Sequence, residues 1–145
     1  MNIGKFVLNV VVAFVVYGIL YAVVGPMIFA EGSASMAAFL RPEAETQVAT
    51  LSYHAVQTVV VVWLFVKAVG SGDLKAGAMF GLMIGLYLMA TDSVWFASVN
   101  GIPTDARAPY AVLNLVNNVL VGVLLAFMQG KGWGASEGEE AAAAE

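Results

Sequence analysis

Four long apolar stretches dominate the pattern of hydrophobic and polar positions along this chain. Each has about 20 residues or more, the length that an α-helix needs to cross an apolar layer about 30 Å thick. The four predicted spans, numbered one to four in chain order, are Phe6–Phe29, Thr46–Val69, Ala76–Ser98 and Pro109–Gln129. The pattern predicts an all-α fold in which residues 1–130 form one four-helix transmembrane bundle.

The segments between the predicted spans carry the signals of turns and loops. Val69–Lys75 is a short Gly-rich turn, so we expect spans two and three to be antiparallel neighbours. Within the longest connection, Ser33–Leu40 is predicted to form a short helix on the membrane surface. Residues 131–145 consist largely of Gly, Ala and Glu, a composition that predicts a disordered acidic tail.

The spans also align as two tandem copies of one helical hairpin. Span one corresponds to span three, with Gly18 on Gly85, and span two corresponds to span four. In the second alignment a polar triplet recurs, with His54, Gln57 and Thr58 on Asn114, Asn117 and Asn118. Chance recurrence of Val and Gly is the favoured interpretation of this alignment, and a duplicated hairpin is the alternative, supported mainly by the polar triplet.

A belt of polar residues crosses the four spans at one depth. At a rise of 1.5 Å per residue, Asp92 lies about 9 Å from the end of its span, and Tyr21, His54 and Asn117 lie about 12 Å from theirs. A row of amides that faced lipid would be too costly, so we expect these side chains to point inward. The predicted polar belt comprises Tyr21, His54, Gln57, Asp92, Asn114, Asn117 and Asn118.

Asp92 is the most informative member of the polar belt. A carboxylate within the apolar layer costs about 2.5 kcal/mol or more, so such groups usually face the bundle interior and mark a pathway or a site. His54 is its natural partner, and the two can together hold or pass a proton. The alternatives are an Asp92 that reaches water near the surface and a neutral His54 bonded to Asn114 or to a backbone carbonyl. The asparagines can equally serve as hydrogen-bonding glue between helices.

Span three also carries a row of small residues. Gly77, Gly81 and Gly85 recur one helical turn apart and allow another helix to approach the backbone closely. Asp92 lies near the same face on a helical wheel. The glycine row predicts tight helix packing, and its neighbour can be span one, span four or a second chain.

Composition narrows the classes of function. With 61% hydrophobic and 11% charged residues, the chain has the character of a membrane protein. The net charge of −4 arises in the tail, so the membrane body is neutral and lacks a basic patch for nucleic acid. Cysteine is absent and histidine occurs once, so no metal site and no cofactor are predicted.

No catalytic motif stands out in the sequence. It contains no P-loop, zinc-protease motif or dinucleotide fingerprint. A lipid-modifying membrane enzyme would have to use His54 and Asp92 as acid and base, and no nucleophile is evident. Catalysis is therefore the least favoured function.

Span three carries a resemblance to known proteins. The residues Gly77-Ala78-x-Phe80-Gly81-Leu82, followed by a Tyr and by Asp92, resemble the third helix of small four-span bacterial membrane proteins with no established activity. Ser93-Val94-Trp95 follows Asp92 here, where that family has Thr and Asn. The resemblance implies a four-helix protein of the bacterial inner membrane.

The flanking charges predict an orientation. Lys5, Lys67, Lys75 and Lys131 lie at one end of the predicted bundle, and Arg41 and Arg107 lie at the other. By the positive-inside rule, both termini are expected in the cytoplasm.

Two functions follow from these features. The first is a non-catalytic subunit that assembles with itself or with another membrane protein through the glycine row and the amides. The second is a small transporter or binding protein in which Asp92 and His54 handle a proton, a cation or a small polar solute.

Overall fold

The protein folds as four consecutive α-helices. In the computed structural model, residues 1–37, 40–98 and 106–136 are described. The helices are α1 (Ile3–Met36), α2 (Glu43–Ala68), α3 (Leu74–Ser98) and α4 (Arg107–Gly130). The predicted all-α four-helix bundle is therefore confirmed, and no strand occurs within the described ranges.

Each helix contains a segment long and apolar enough to cross a membrane. These segments are Ile3–Ile28, Ala44–Ala68, Leu74–Val94 and Arg107–Gly130. They overlap the four predicted spans and extend most of them by two or three residues towards their N-termini. By the length and apolarity of its helices, the chain is a multi-pass membrane protein.

The first helix is longer than its apolar segment. The Asn2 side chain caps its start by accepting a hydrogen bond from the Lys5 backbone N–H, and α1 then passes through Pro26 without ending. The prediction of a separate surface helix over Ser33–Leu40 is wrong for its first residues, because α1 continues without a break to Met36. Residues 38 and 39 of that prediction lie outside the described residues.

The fourth helix lies at the centre of the bundle. Half of its most apolar window is buried (50%), compared with 17% to 22% for the windows of the other three helices. Its most extensive contact is with α3, followed by its contact with α1, whereas α2 packs mainly on α1. Spans two and three run antiparallel as expected, but they share little contact.

The close contact of α3 with α4 depends on the glycine row. A Cβ atom added to Gly77 would lie 2.5 Å from the Gly122 carbonyl oxygen, and one added to Gly81 would lie 2.7 Å from the Val119 Cα. Gly85 faces α4 in the same way. Since real Cβ atoms do not approach other atoms so closely, only glycine fits at these positions. The neighbour of the glycine row is thus span four of the same chain.

The two ends of the bundle differ in character. We call the end with Lys5, Lys67, Lys75 and Lys131 the lysine end, and the end with Arg41 and Arg107 the arginine end. A core of apolar side chains fills the half towards the lysine end, where Val62, Phe65 and Val121 are almost fully buried. The Phe65 and Phe80 rings meet there edge to face, with 5.4 Å between their centroids, and this contact joins α2 to α3.

The two proposed hairpin copies pack differently. Gly85 lies against α4, whereas a Cβ atom on its aligned residue, Gly18, would meet nothing within 4 Å. Of the polar triplets, Thr58 and its aligned Asn118 are both buried, whereas His54 and Gln57 are half-buried and their aligned asparagines are buried. The duplication itself stays a prediction.

The beginning of the predicted tail packs against the lysine end. The Asn9 side chain donates a hydrogen bond to the Trp133 carbonyl (2.9 Å), and the Ser136 hydroxyl donates one to the Gly70 carbonyl (2.8 Å). The Asn2 backbone N–H donates to the Ala135 carbonyl (3.0 Å). Residues 131–136 therefore tie the end of α4 to α1 and to the turn after α2. The predicted disordered tail began at residue 131, whereas residues 131–136 pack against the bundle. The rest of that prediction, residues 137–145, lies outside the described residues.

Two truncations test the role of this segment. A chain that ends at Ser136 is expected to unfold like the full chain, whereas one that ends at Gly130 loses the three hydrogen bonds. Each net bond is worth about 0.5 to 1.5 kcal/mol, so the shorter chain should lose about 1.5 to 4.5 kcal/mol of unfolding free energy. The measurement is unfolding by titration with sodium dodecyl sulfate in mixed micelles. Equal stability of the two truncated chains would show that the segment does not hold the bundle together.

Candidate functional site

A cavity of about 430 Å³ opens into the bundle on the side of the arginine end. Its walls come from all four helices, and Thr46 and Gln57 mark its extent along α2 as about 16 Å. Thr50 and Tyr53 are exposed, so the cavity is open to its surroundings there. The lining residues are Tyr21, Thr46, Ala49, Thr50, Tyr53, His54, Gln57, Leu88, Tyr110 and Asn114. Its volume falls within the range of about 300 to 1,000 Å³ typical of small-molecule sites.

Asn114 of α4 joins three helices at this cavity. Its Oδ1 accepts a hydrogen bond from the Tyr21 hydroxyl of α1 (2.8 Å), and its Nδ2 donates one to the Asp92 carboxylate of α3 (2.5 Å). Asn114 is itself buried, with 4% of its surface exposed. One amide therefore uses its acceptor on one helix and its donor on another, which fixes the rotation of all three helices at this level.

A second amide repeats this arrangement one turn closer to the core. The Tyr17 hydroxyl donates a hydrogen bond to Asn118 Oδ1 (2.6 Å), and Asn118 Nδ2 donates one to the Asn114 backbone carbonyl (2.8 Å). Asn118 is 1% exposed. Both asparagines thus act as links between helices, the role that the sequence left open beside a binding role.

His54 belongs to a row of aromatic rings. Its imidazole lies between Tyr21 and Tyr53, with 5.3 Å between ring centroids on each side. Tyr17 continues the row, stacked on Tyr21 at 6.4 Å. The Gln57 side chain lies beside the imidazole. Three members of this row line the cavity, namely Tyr21, His54 and Tyr53, whereas Tyr17 does not.

The predicted pair of Asp92 and His54 does not form an ion pair. Asp92 is bound by Asn114 instead, while His54 contacts the two tyrosines. Asp92 nevertheless acts on the cavity, because it interacts electrostatically with Tyr53 and Tyr110, two of the lining residues. The carboxyl group therefore lies close to the cavity, bound to the lining residue Asn114, without lining the cavity itself.

Asn117 differs from the other two asparagines of the polar belt. It is fully buried at 0% exposure, and neither its Nδ2 nor its Oδ1 makes a hydrogen bond within the described part of the chain. Its amide lies near the Tyr21 hydroxyl, which donates its hydrogen bond to Asn114 instead. A buried amide without partners costs about 1 to 3 kcal/mol, so it is the least favourable member of the belt for stability.

The cavity ends where the apolar core begins. Thr58, Asn117 and Asn118 are each no more than 1% exposed and form a buried layer between the cavity and the core. The Thr58 hydroxyl donates to the His54 carbonyl of its own helix (2.7 Å). The geometry is that of a pocket open towards one end of the bundle.

The structure brings together most of the polar belt and adds residues that the sequence analysis did not select. Tyr21, His54, Gln57 and Asn114 line the cavity, and Asp92 lies behind it. Six lining residues were missed as site residues: Thr46, Ala49, Thr50, Tyr53, Leu88 and Tyr110. The spacing of Thr46, Thr50, Tyr53 and Gln57, three or four residues apart on one face of α2, is the signal that could have found three of them.

No family model, curated protein or solved structure matches this chain. The function is therefore argued from the chemistry of the cavity alone. Within the described residues, no three acidic, histidine or cysteine side chains are close enough together to hold a metal ion. What the cavity offers is tyrosine and histidine rings, hydroxyl and amide groups, and a carboxylate behind its wall.

Proposed function

We propose that the protein binds a small organic cation through its ammonium group in the cavity on the side of the arginine end. The observation that carries this proposal is the lining of the cavity, which combines three tyrosine rings with hydroxyl and amide groups and has Asp92 behind it. This develops the alternative function of a binding or transport protein for a cation.

Two physical effects favour a cation. Aromatic faces attract ammonium groups by about 0.5 to 2 kcal/mol, more when the site excludes water, and three tyrosines line this cavity, namely Tyr21, Tyr53 and Tyr110. The Asp92 carboxylate adds an attractive field, which is stronger in an apolar layer than in water. The lining residues include no Lys or Arg, the side chains that recognise carboxylate and phosphate groups. An anion would thus meet the Asp92 carboxylate and no Lys or Arg among these lining residues.

The assembly function has less support than it had from the sequence. The glycine row packs on α4 within the chain, and Asn114 and Asn118 bond to side chains of α1 and α3. These features are therefore occupied inside one bundle. A homo-oligomer or a complex with another membrane protein would have to use the lipid-facing surfaces, and it stays a prediction.

The proposed location is the bacterial inner membrane, with both termini in the cytoplasm. The support is the excess of lysine at the lysine end, where the segment after α4 also packs. In this orientation the cavity opens towards the periplasmic side, and a cation would reach it from there.

The binding test compares choline with 3,3-dimethylbutan-1-ol, called dimethylbutanol below. This compound has the shape of choline, with an uncharged carbon atom in place of the charged nitrogen. Purified protein in lipid nanodiscs should bind choline more tightly than dimethylbutanol when both are titrated by calorimetry. The variant Asp92→Asn keeps the size of the side chain and can still accept a hydrogen bond from Asn114. We expect it to weaken choline binding about tenfold, which corresponds to about 1.4 kcal/mol, and to leave the dimethylbutanol affinity unchanged.

The matched control is Asp73→Asn, which removes an exposed carboxylate from the turn between α2 and α3. It should bind choline like the unmodified protein. Equal affinity of the protein for choline and dimethylbutanol, or equal choline binding by Asp92→Asn and the unmodified chain, would contradict the proposal.

A further inference from the structure

A second, apolar cavity lies beside the first. It has a volume of about 280 Å³ and occupies the gap between α2 and α3, which share little contact. Its lining residues are Tyr53, Val56, Gln57, Val60, Val61, Leu64, Ile84, Tyr87 and Leu88. Apart from Tyr53, Gln57 and Tyr87, these side chains are aliphatic. We call this cavity the α2–α3 groove.

The groove adjoins the polar cavity. Tyr53, Gln57 and Leu88 line both, so the two spaces meet at these three side chains. From Tyr53 to Leu64 the groove follows α2 for about 16 Å towards the lysine end. It ends near the contact of Phe65 with Phe80. Several lining side chains, among them Val60 at 47% and Tyr87 at 69% exposure, leave the groove open to the lipid side.

The combined space has the polarity of a membrane amphiphile. Its polar part lies towards the arginine end, at the depth of the outer part of the membrane span, and its apolar part runs from there towards the middle of the bundle. An amphiphile in a bilayer has this orientation, with its head near the surface and its chain towards the membrane centre.

We infer that the ligand is a single-chain amphiphilic amine, with its ammonium head in the polar cavity and its alkyl chain in the α2–α3 groove. This inference rests on the proposed function and adds the class of ligand and its source, which is the membrane. The groove adds little hydrophobic affinity, since a chain leaves lipid to enter it. Its contribution is steric. A head in the cavity can carry an alkyl chain only if the groove accommodates that chain, so a blocked groove also excludes the head from the cavity.

The test uses dodecyltrimethylammonium beside choline, so that head and chain are examined separately. Val60→Trp places an indole in the groove, and Val59→Trp is its matched control, because Val59 is similarly exposed (42% against 47%) but lines neither cavity. Dodecyltrimethylammonium binding is measured by native mass spectrometry of protein released from uncharged micelles. Choline binding is measured by calorimetry in nanodiscs.

We expect Val60→Trp to weaken dodecyltrimethylammonium binding at least tenfold while choline binding stays unchanged. Val59→Trp should change neither. Intact choline binding also shows that the groove variant is folded, so a loss of the alkylammonium reports the groove itself. Asp92→Asn should weaken the binding of both choline and dodecyltrimethylammonium, since both carry a trimethylammonium head.

Two other results would overturn the inference in distinguishable ways. If Val60→Trp binds dodecyltrimethylammonium as well as the unmodified protein does, and choline binding is intact, the chain does not lie in the groove and the proposed function stands alone. If the unmodified protein binds neither compound, the proposed function fails and the inference fails with it.

Discussion

Replacing Gly81 with leucine is expected to destroy the folded bundle. A Cβ atom at this position would overlap the Asn118 backbone of α4, and the rest of the leucine side chain would add to the clash. The obstacle is backbone, which cannot change rotamer, so the two helices would have to separate along their main contact. Overpacking in a core costs about 1 to 3 kcal/mol when side chains can adjust, and we expect more than about 3 kcal/mol here. The measurement is the unfolding free energy by titration with sodium dodecyl sulfate, together with the elution of a fluorescent fusion on size exclusion.

Gly18→Leu provides the matched control for this substitution. Gly18 also lies in a membrane helix, but a Cβ atom there would meet nothing within 4 Å. The change should leave the unfolding free energy within about 0.5 kcal/mol of the unmodified value, as for surface substitutions in general. A Gly81→Leu protein as stable as Gly18→Leu would show that α3 and α4 do not approach each other as described.

Replacing Asn114 with leucine is expected to cost about 3 kcal/mol of unfolding free energy. The change leaves the Tyr21 hydroxyl without its acceptor and the Asp92 carboxylate without its amide donor. A buried polar group without a partner costs about 1 to 3 kcal/mol, so the loss from two such groups exceeds the roughly 0.6 kcal/mol average for one hydrogen bond between membrane helices. The unfolding free energy is again measured by titration with sodium dodecyl sulfate.

Asn117→Leu is the control for this prediction, because it also replaces an asparagine of α4 with leucine, about one helical turn from Asn114. Asn117 has the same size and is as buried, but its amide atoms have no hydrogen-bonding partner among the described residues. We therefore expect Asn117→Leu to be neutral or to stabilise the protein slightly. Equal destabilisation by the two substitutions would mean that the hydrogen bonds of Asn114 do not hold the helices together.

The glycine row and the asparagines act on the same contact. The glycines let α4 approach α3 until their backbones touch, and at that separation Asn114 reaches Asp92. A wider spacing would leave the carboxylate without this donor. The tight packing towards the lysine end therefore supports the geometry of the cavity on the opposite side, and Gly81→Leu should impair choline binding as well as stability.

The sequence predicted the helices and the depth of their polar residues well. A membrane span is a local property of about 20 residues, so composition and length were enough to locate all four helices. The level of Tyr21, His54, Asp92 and Asn114 followed from the fixed rise per residue, and these residues do surround one cavity.

The sequence was less informative about which polar side chains meet. It paired Asp92 with His54, whereas Asn114 binds Asp92 and the histidine lies between two tyrosines. It predicted spans two and three as antiparallel neighbours, which they are, but it did not indicate the gap between them that forms the groove. Both points concern the arrangement of helices around the bundle axis.

The sequence by itself determined four membrane helices, a charged residue inside one of them, and a belt of polar groups at one level. Only the tertiary structure decided that α4 is central, that the glycine row is occupied within the chain, and that a polar cavity adjoins an apolar groove. The physical reason is that helix length and depth depend on the rise along a single helix. The neighbours of a helix depend on the close fit of several surfaces at once, here the backbone contact that Gly77, Gly81 and Gly85 make with α4.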